Sequence, residues 1–156
     1  MQKKSFLILL VVLVYLIFIL DIVANQYFLY WRFWWFDIVM HFLGGFWIAL
    51  LSYYLFFLSN YFAKISKKVS IFAVSLTIVL VIGILWEAFE YIMKVSIQQS
   101  NYILDTSLDL LMDTSGWLVA YIFLLKVKNK SKVESRKSKV ESRKSIRSKV
   151  FNNLKH

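Results

Sequence analysis

Seven side chains can hold a cation or move a proton, and their spacing sorts them into three sets: Asp37 with His41, Glu87 with Glu90, and Asp105 with Asp109 and Asp113. Spacings of three, four and eight residues put the members of each set on one face of a helix. Carboxylates with one imidazole suit a divalent cation, Mg²⁺ or Mn²⁺ first, with Zn²⁺ or Fe²⁺ admissible. Helix bundles build carboxylate metal sites from such pairs on facing helices. Six carboxylates in one small desolvated site cannot all stay ionised without compensation, because like charges raise one another's pKa. A bound cation, protonation of some acids, or pairing with Arg32 and Lys94 would each supply it. Asp37, His41, Glu87, Glu90, Asp105, Asp109 and Asp113 are therefore the candidate metal ligands. If the chain is an enzyme, a hydrolase or transferase, water activated by the cation would be the nucleophile and His41 or Glu90 the proton-transfer group.

The elements that must position these groups are membrane-spanning helices. A chain with 60% hydrophobic and 19% aromatic residues and a mean hydropathy of +0.62 is too apolar for an ordinary soluble domain. Apolar runs at residues 5–24, 37–58, 71–93 and 103–125 are each long enough to cross a bilayer. The expected fold is an all-α bundle of four transmembrane helices over residues 1–125, followed by a basic tail over 126–156. A carboxylate inside such a span costs about 2.5 to 3.5 kcal/mol on insertion scales, so it faces a protein interior, a partner charge or an ion. The alternative is a helix cap or a solvated end, which fits Asp21 best and Asp105 next.

Other features narrow the chemistry. There is no cysteine, which removes disulfides, thiolate ligands and thiol nucleophiles. There is no proline, so the broken helices on which many transporters build ion sites are not expected. Gly44-Gly45 sits inside an apolar helix and no Gly-rich phosphate loop is present, so no organic cofactor is expected. The first run follows Lys3 and Lys4 as a signal peptide would, but Asp21 and Ile22 stand where a cleavage site wants small residues; a retained anchor is expected.

Residues 25–36 hold eight aromatics, Tyr27, Phe28, Tyr30, Trp31, Phe33, Trp34, Trp35 and Phe36, an interfacial belt between the first two spans. Lid function over the site is the rival reading of that belt. From Lys126 onward there are twelve Lys and Arg against two Glu, so the net charge of +10 belongs entirely to the tail. Its unit SKVESRK occurs at 131–137 and again at 138–144. One valine per heptad is too few for a coiled-coil seam. The tail is expected to be disordered, or helical on anionic lipid headgroups, and specific nucleic-acid binding is not expected.

Basic residues at the N-terminus, after the second span (Lys64, Lys67, Lys68) and in the tail put both termini in the cytoplasm of a plasma (inner) membrane protein. Every acid before the tail then falls at the outer end of its helix, with His41 about 6 Å in and Glu87 and Asp109 about 9 Å in. Small residues follow deeper on the same faces: Gly44, Gly45, Ala49 and Ser52, then Gly83, then Gly116 and Ala120. The expectation is an outward pocket closed below by tight packing, with the first helix peripheral. Such a pocket would bind a divalent cation and act on or bind an envelope lipid or its headgroup. Its rivals are an accessory protein using the acids as a structural network, and a cation or proton transporter, which lacks a polar route inward. Oligomeric state is not legible.

Three blocks taken together, Asp37, His41, Phe42 and Gly45, then Glu87 and Glu90, then Asp105, Thr106, Asp109, Asp113 and Gly116, resemble the VanZ-like and YjdF-like bacterial membrane proteins. The resemblance spans residues 37–120 in order and spacing. It implies a polytopic helical protein, a link to the cell envelope through the glycopeptide-tolerance branch, and a shared site of Asp37, His41, Glu87, Glu90, Asp105 and Asp109.

Overall fold

In hydrocarbon each backbone N–H and C=O must be satisfied within its own segment, so long apolar runs without proline fold as helices. The computed structural model describes residues 3–59, 62, 70–93 and 102–153, and among the described residues there is no strand. The helices are α1 (Lys3–Gln26), α2 (Leu29–Arg32), α3 (Trp35–Tyr53), α4 (Ile71–Met93) and α5 (Tyr102–Asn153). A π turn, Tyr54–Leu58, prolongs α3. Four stretches are long and apolar enough to cross a membrane: Lys3–Gln26, Trp35–Leu58, Ile71–Met93 and Tyr102–Lys130. The protein is thus an all-α membrane protein, as its hydropathy requires. Lys64, Lys67, Lys68 and Lys94, with the connection 95–101, lie outside the described residues.

The chain divides between Ile122 and Phe123 into two compact units. Within the first, α3 packs against both α1 and α4. Trp47 on α3 donates its indole N–H to the Leu10 carbonyl of α1 at 2.9 Å, and Phe6 stacks on Tyr54. Only Phe6, Leu10 and Ala24 of α1 are buried, which leaves most of its apolar surface for lipid. The aromatic belt contains α2, and the chain enters it through Phe28, whose φ of 55° is left-handed. That conformation usually falls to glycine at a helix end and is uncommon for a bulky residue. Tyr30 then ties the belt back to α1 by donating to Asp21 Oδ1 at 2.9 Å. Burial, and then that bond, holds the Tyr30 phenol well above its usual range.

The two backbones of α3 and α5 meet where glycines remove the side chains between them. A Cβ on Gly45 would strike the carbonyl oxygen of Asp113 and lie 2.7 Å from its Cα. A Cβ on Gly116 would strike the carbonyl oxygen of Phe42 and lie 2.8 Å from the nitrogen of Phe46. Gly44 differs from expectation: a Cβ there would meet nothing within 4 Å, because one residue step turns it about 100° from Gly45. Gly44→Ala is expected to leave the melting temperature in detergent unchanged, within about 0.5 kcal/mol of stability.

The second unit contains the basic tail. Helix α5 does not stop at Leu125, where the last span was expected to end, but runs to Asn153. No glycine or proline follows Gly116, and Lys, Arg, Glu and Ser carry only modest helix penalties. Residues 126–153 are helical throughout. Val133 and Val140, both about half-exposed, share one strip of it with Arg136, Lys137 and Lys144.

Candidate metal centre

Each of three helices buries a stripe that leads to the same place. On α3 it includes His41, Gly45, Ala49 and Ser52; on α4 Ser75, Val79, Gly83, Glu87 and Glu90; on α5 Asp109, Asp113, Gly116 and Ala120. Glu87, Asp109 and Asp113 from these stripes, with Asp37 from the start of α3, converge on the His41 ring. Its Nε2 lies 3.9 Å from Asp37 Oδ1, 3.9 Å from Glu87 Oε1 and 3.9 Å from Asp109 Oδ1. Its Nδ1 lies 3.5 Å from Asp113 Oδ2. Among the described residues, His41 is the only cation-forming group paired with these four acids. Arg32, offered above as a compensating charge, is exposed on α2.

Ligand atoms of Asp37, His41 and Asp109 all lie within 4.8 Å of one another. Separations of 3.9 Å around Nε2 are too long for hydrogen bonds and a few tenths of an ångström wider than the roughly 3.3 to 3.6 Å between tetrahedral ligands on bonds of about 2.0 to 2.2 Å, so small side-chain shifts would close them on an ion. Two carboxylate oxygens in the cluster, Glu87 Oε1 and Asp109 Oδ2, are buried with no hydrogen-bond partner. Buried carboxylates are ordinarily paired, hydrogen-bonded or bound to a metal, so orphaned oxygens of this kind require a cause. The cluster is more closely packed than the open pocket expected above. Side-chain exposure falls from 24% at Asp37 to 6% at His41 and 2% at Asp109, so Asp37 stands at its mouth.

The other candidates are placed differently. Glu90 is buried on the same α4 stripe and its Oε1 accepts the Trp86 indole N–H at 2.9 Å. Asp105 is half-buried one turn before Asp109, outside the group of three. Beneath the cluster the stripes turn apolar, with Ala49, Val79 and Ala120 fully buried. The hydroxyls of Ser52 and Ser75 bond their own helices at 2.7 Å, and Ser75 also receives the Trp117 indole N–H at 2.9 Å.

A family described as a predicted membrane protein (DUF2238) matches residues 2–130. The chain belongs to that family. The match takes in all four spans and every residue of the cluster, and stops short of the SKVESRK repeats. No curated protein and no solved structure matches the chain.

Membership in the family leaves some residues of the site to be found from the coordinates. The Thr106 hydroxyl donates to Glu87 Oε2 at 2.7 Å, and the Tyr102 hydroxyl to the Glu87 carbonyl at 3.2 Å. Both come from the start of α5 and orient the end of α4. Thr106 lies three residues before Asp109 and Trp86 four before Glu90, so helical spacing from an acid was the available signal. Gly83 was read as a packing residue, whereas a Cβ there would sit 2.5 Å from Asp113 Oδ2.

Proposed function

We propose that Asp37, His41 and Asp109 hold one divalent cation, with Glu87 beside them, and that the loaded centre binds or acts on the headgroup of an envelope lipid. The observation carrying this reading is the pair of orphaned oxygens, Glu87 Oε1 and Asp109 Oδ2, beside an imidazole nitrogen ringed by three carboxylates at equal distance. One imidazole among carboxylates favours Zn²⁺ or Mn²⁺ over Mg²⁺, which prefers an all-oxygen octahedron and keeps several waters. Bound there, the cation would supply Lewis acidity toward a phosphoryl or carbonyl oxygen. The protein's own part is to bring the ligands together, exclude water below them, and leave Asp37 exposed to the incoming group.

The headgroup half of the reading rests on position. Positive-inside bias supports an outer-leaflet position for the cluster with both termini cytoplasmic, and the aromatic belt is consistent with that level. The likeness to VanZ-like and YjdF-like proteins supports an envelope context. In the cytoplasm the tail would meet anionic headgroups, with about 1 kcal/mol per basic residue near the surface.

A purely structural network has one observation in its favour, the hydrogen bonds that Thr106 and Trp86 give to Glu87 and Glu90. The two readings part in one experiment. Protein stripped by chelator and reloaded in detergent is expected to take up about one zinc or manganese per chain. At a metal concentration of about 100 times Kd, stability should rise by about 2.7 kcal/mol. Negligible uptake with no thermal response would refute the cation and leave the network.

A further inference from the structure

The two ring nitrogens of His41 have different neighbours. Nε2 faces Asp37, Glu87 and Asp109, whereas Nδ1 faces Asp113 Oδ2 at 3.5 Å, the shortest of the four contacts. We propose that Asp113, offered above as a ligand, is instead the positioning residue of the centre: its carboxylate accepts the Nδ1 proton of His41 and leaves the Nε2 lone pair for the cation. The proposal rests on the metal reading of the preceding subsection, and adds to it which nitrogen binds and what aims it.

Three helices hold Asp113 in that place. Its backbone is pressed against Gly45 of α3, where a Cβ would strike its carbonyl oxygen. Its carboxylate fills the space that a Cβ on Gly83 of α4 would need, 2.5 Å from Oδ2, with Leu110 Cδ2 3.1 Å from the same point. The side chain is nearly inaccessible, at 7%, so water does not compete for the proton it accepts. Asp113 is therefore confined to the Nδ1 edge of the ring, away from the three carboxylates around Nε2. A histidine that binds a metal through one nitrogen commonly gives the other N–H to a carboxylate, which fixes both tautomer and ring direction. Gly83 belongs to the same device: it carries no ligand, yet its missing side chain makes the berth.

Zinc affinity of the full chain in detergent, measured by chelator competition, tests this. Asp113→Asn and Gly83→Ala are each expected to weaken binding by about 10 to 100-fold, although neither changes an atom that touches the cation. Ser107→Ala, on the exposed face of α5, should leave it unchanged. A second readout does not depend on metal. The chain has two histidines, so His156→Gln leaves His41 as the sole imidazole ¹⁵N signal. In metal-free protein at alkaline pH, where the ring is neutral, the Nδ1–H tautomer should dominate, and Asp113→Ala should give way to Nε2–H. Asp113→Leu, close in volume and unable to accept a proton, serves the same purpose if the alanine variant does not fold. Unchanged tautomer and affinity would overturn the proposal, as would zinc held through Nδ1. A wild type that takes no zinc while its tautomer still answers to Asp113 would refute the metal reading and leave the Asp113–His41 pairing in place.

Discussion

Asp109→Asn is expected to abolish stoichiometric metal binding and, at the same time, to make the metal-free protein more stable. Asp109 is 1% exposed, its Oδ1 lies 3.9 Å from His41 Nε2, and its Oδ2 has no hydrogen-bond partner. A buried anion without adequate partners destabilises the fold, and the cation is what compensates it. Asparagine keeps the shape and removes the charge. Affinity should fall by more than the roughly 10 to 100-fold typical of losing an outer partner. Without metal the variant should gain about 1 to 3 kcal/mol from relief of the unsatisfied group. The order of melting temperatures should therefore reverse: the variant above wild type after chelation, below it in excess zinc. If the order were the same in both conditions, the cluster would not be a metal centre.

Gly116→Val should be the most disruptive single change in the spans. Even the first carbon of a side chain there meets the carbonyl oxygen of Phe42 and the nitrogen of Phe46, 2.8 Å away, and both are backbone atoms of α3. Backbone inside a helix cannot swing aside as a side chain does, so α3 and α5 must separate along their crossing. Overpacking of this kind costs about 1 to 3 kcal/mol, and a branched side chain lies at or beyond the upper end. Because α3 supplies Asp37 and His41 and α5 supplies Asp109 and Asp113, metal uptake should be lost with it. A monodisperse protein with an unchanged melting temperature and intact uptake would show that the crossing does not hold the cluster together. Gly44→Ala, at the same level of α3 but on its free side, is the internal comparison.

Much of the architecture was legible before any coordinates. Hydropathy placed the spans at 5–24, 37–58, 71–93 and 103–125, and the helical stretches long and apolar enough to cross a membrane are Lys3–Gln26, Trp35–Leu58, Ile71–Met93 and Tyr102–Lys130. Helical spacing put Glu87 and Glu90 on the Gly83 face, and α4 buries that stripe. Both are local properties: the free energy of crossing hydrocarbon depends on a window of consecutive residues, and a helix face depends only on sequence separation. Spacing was less informative about the tail, because absence of a seam does not decide whether a soluble basic segment winds into a helix.

The chain's own order of residues determined that three helices would each carry acids at the same end, since every carboxylate in a span needs a protein interior to face. Only the tertiary structure decided that Asp37, His41 and Asp109 form the close group while Glu90 is bonded to Trp86 and Asp105 lies outside that group, that Gly45 and not Gly44 meets α5, and that Asp113 addresses the opposite nitrogen of the ring. These are matters of ångströms between helices. They are set by how closely α3, α4 and α5 approach at Gly45, Gly83 and Gly116, and periodicity within a helix does not contain the distance to its neighbour.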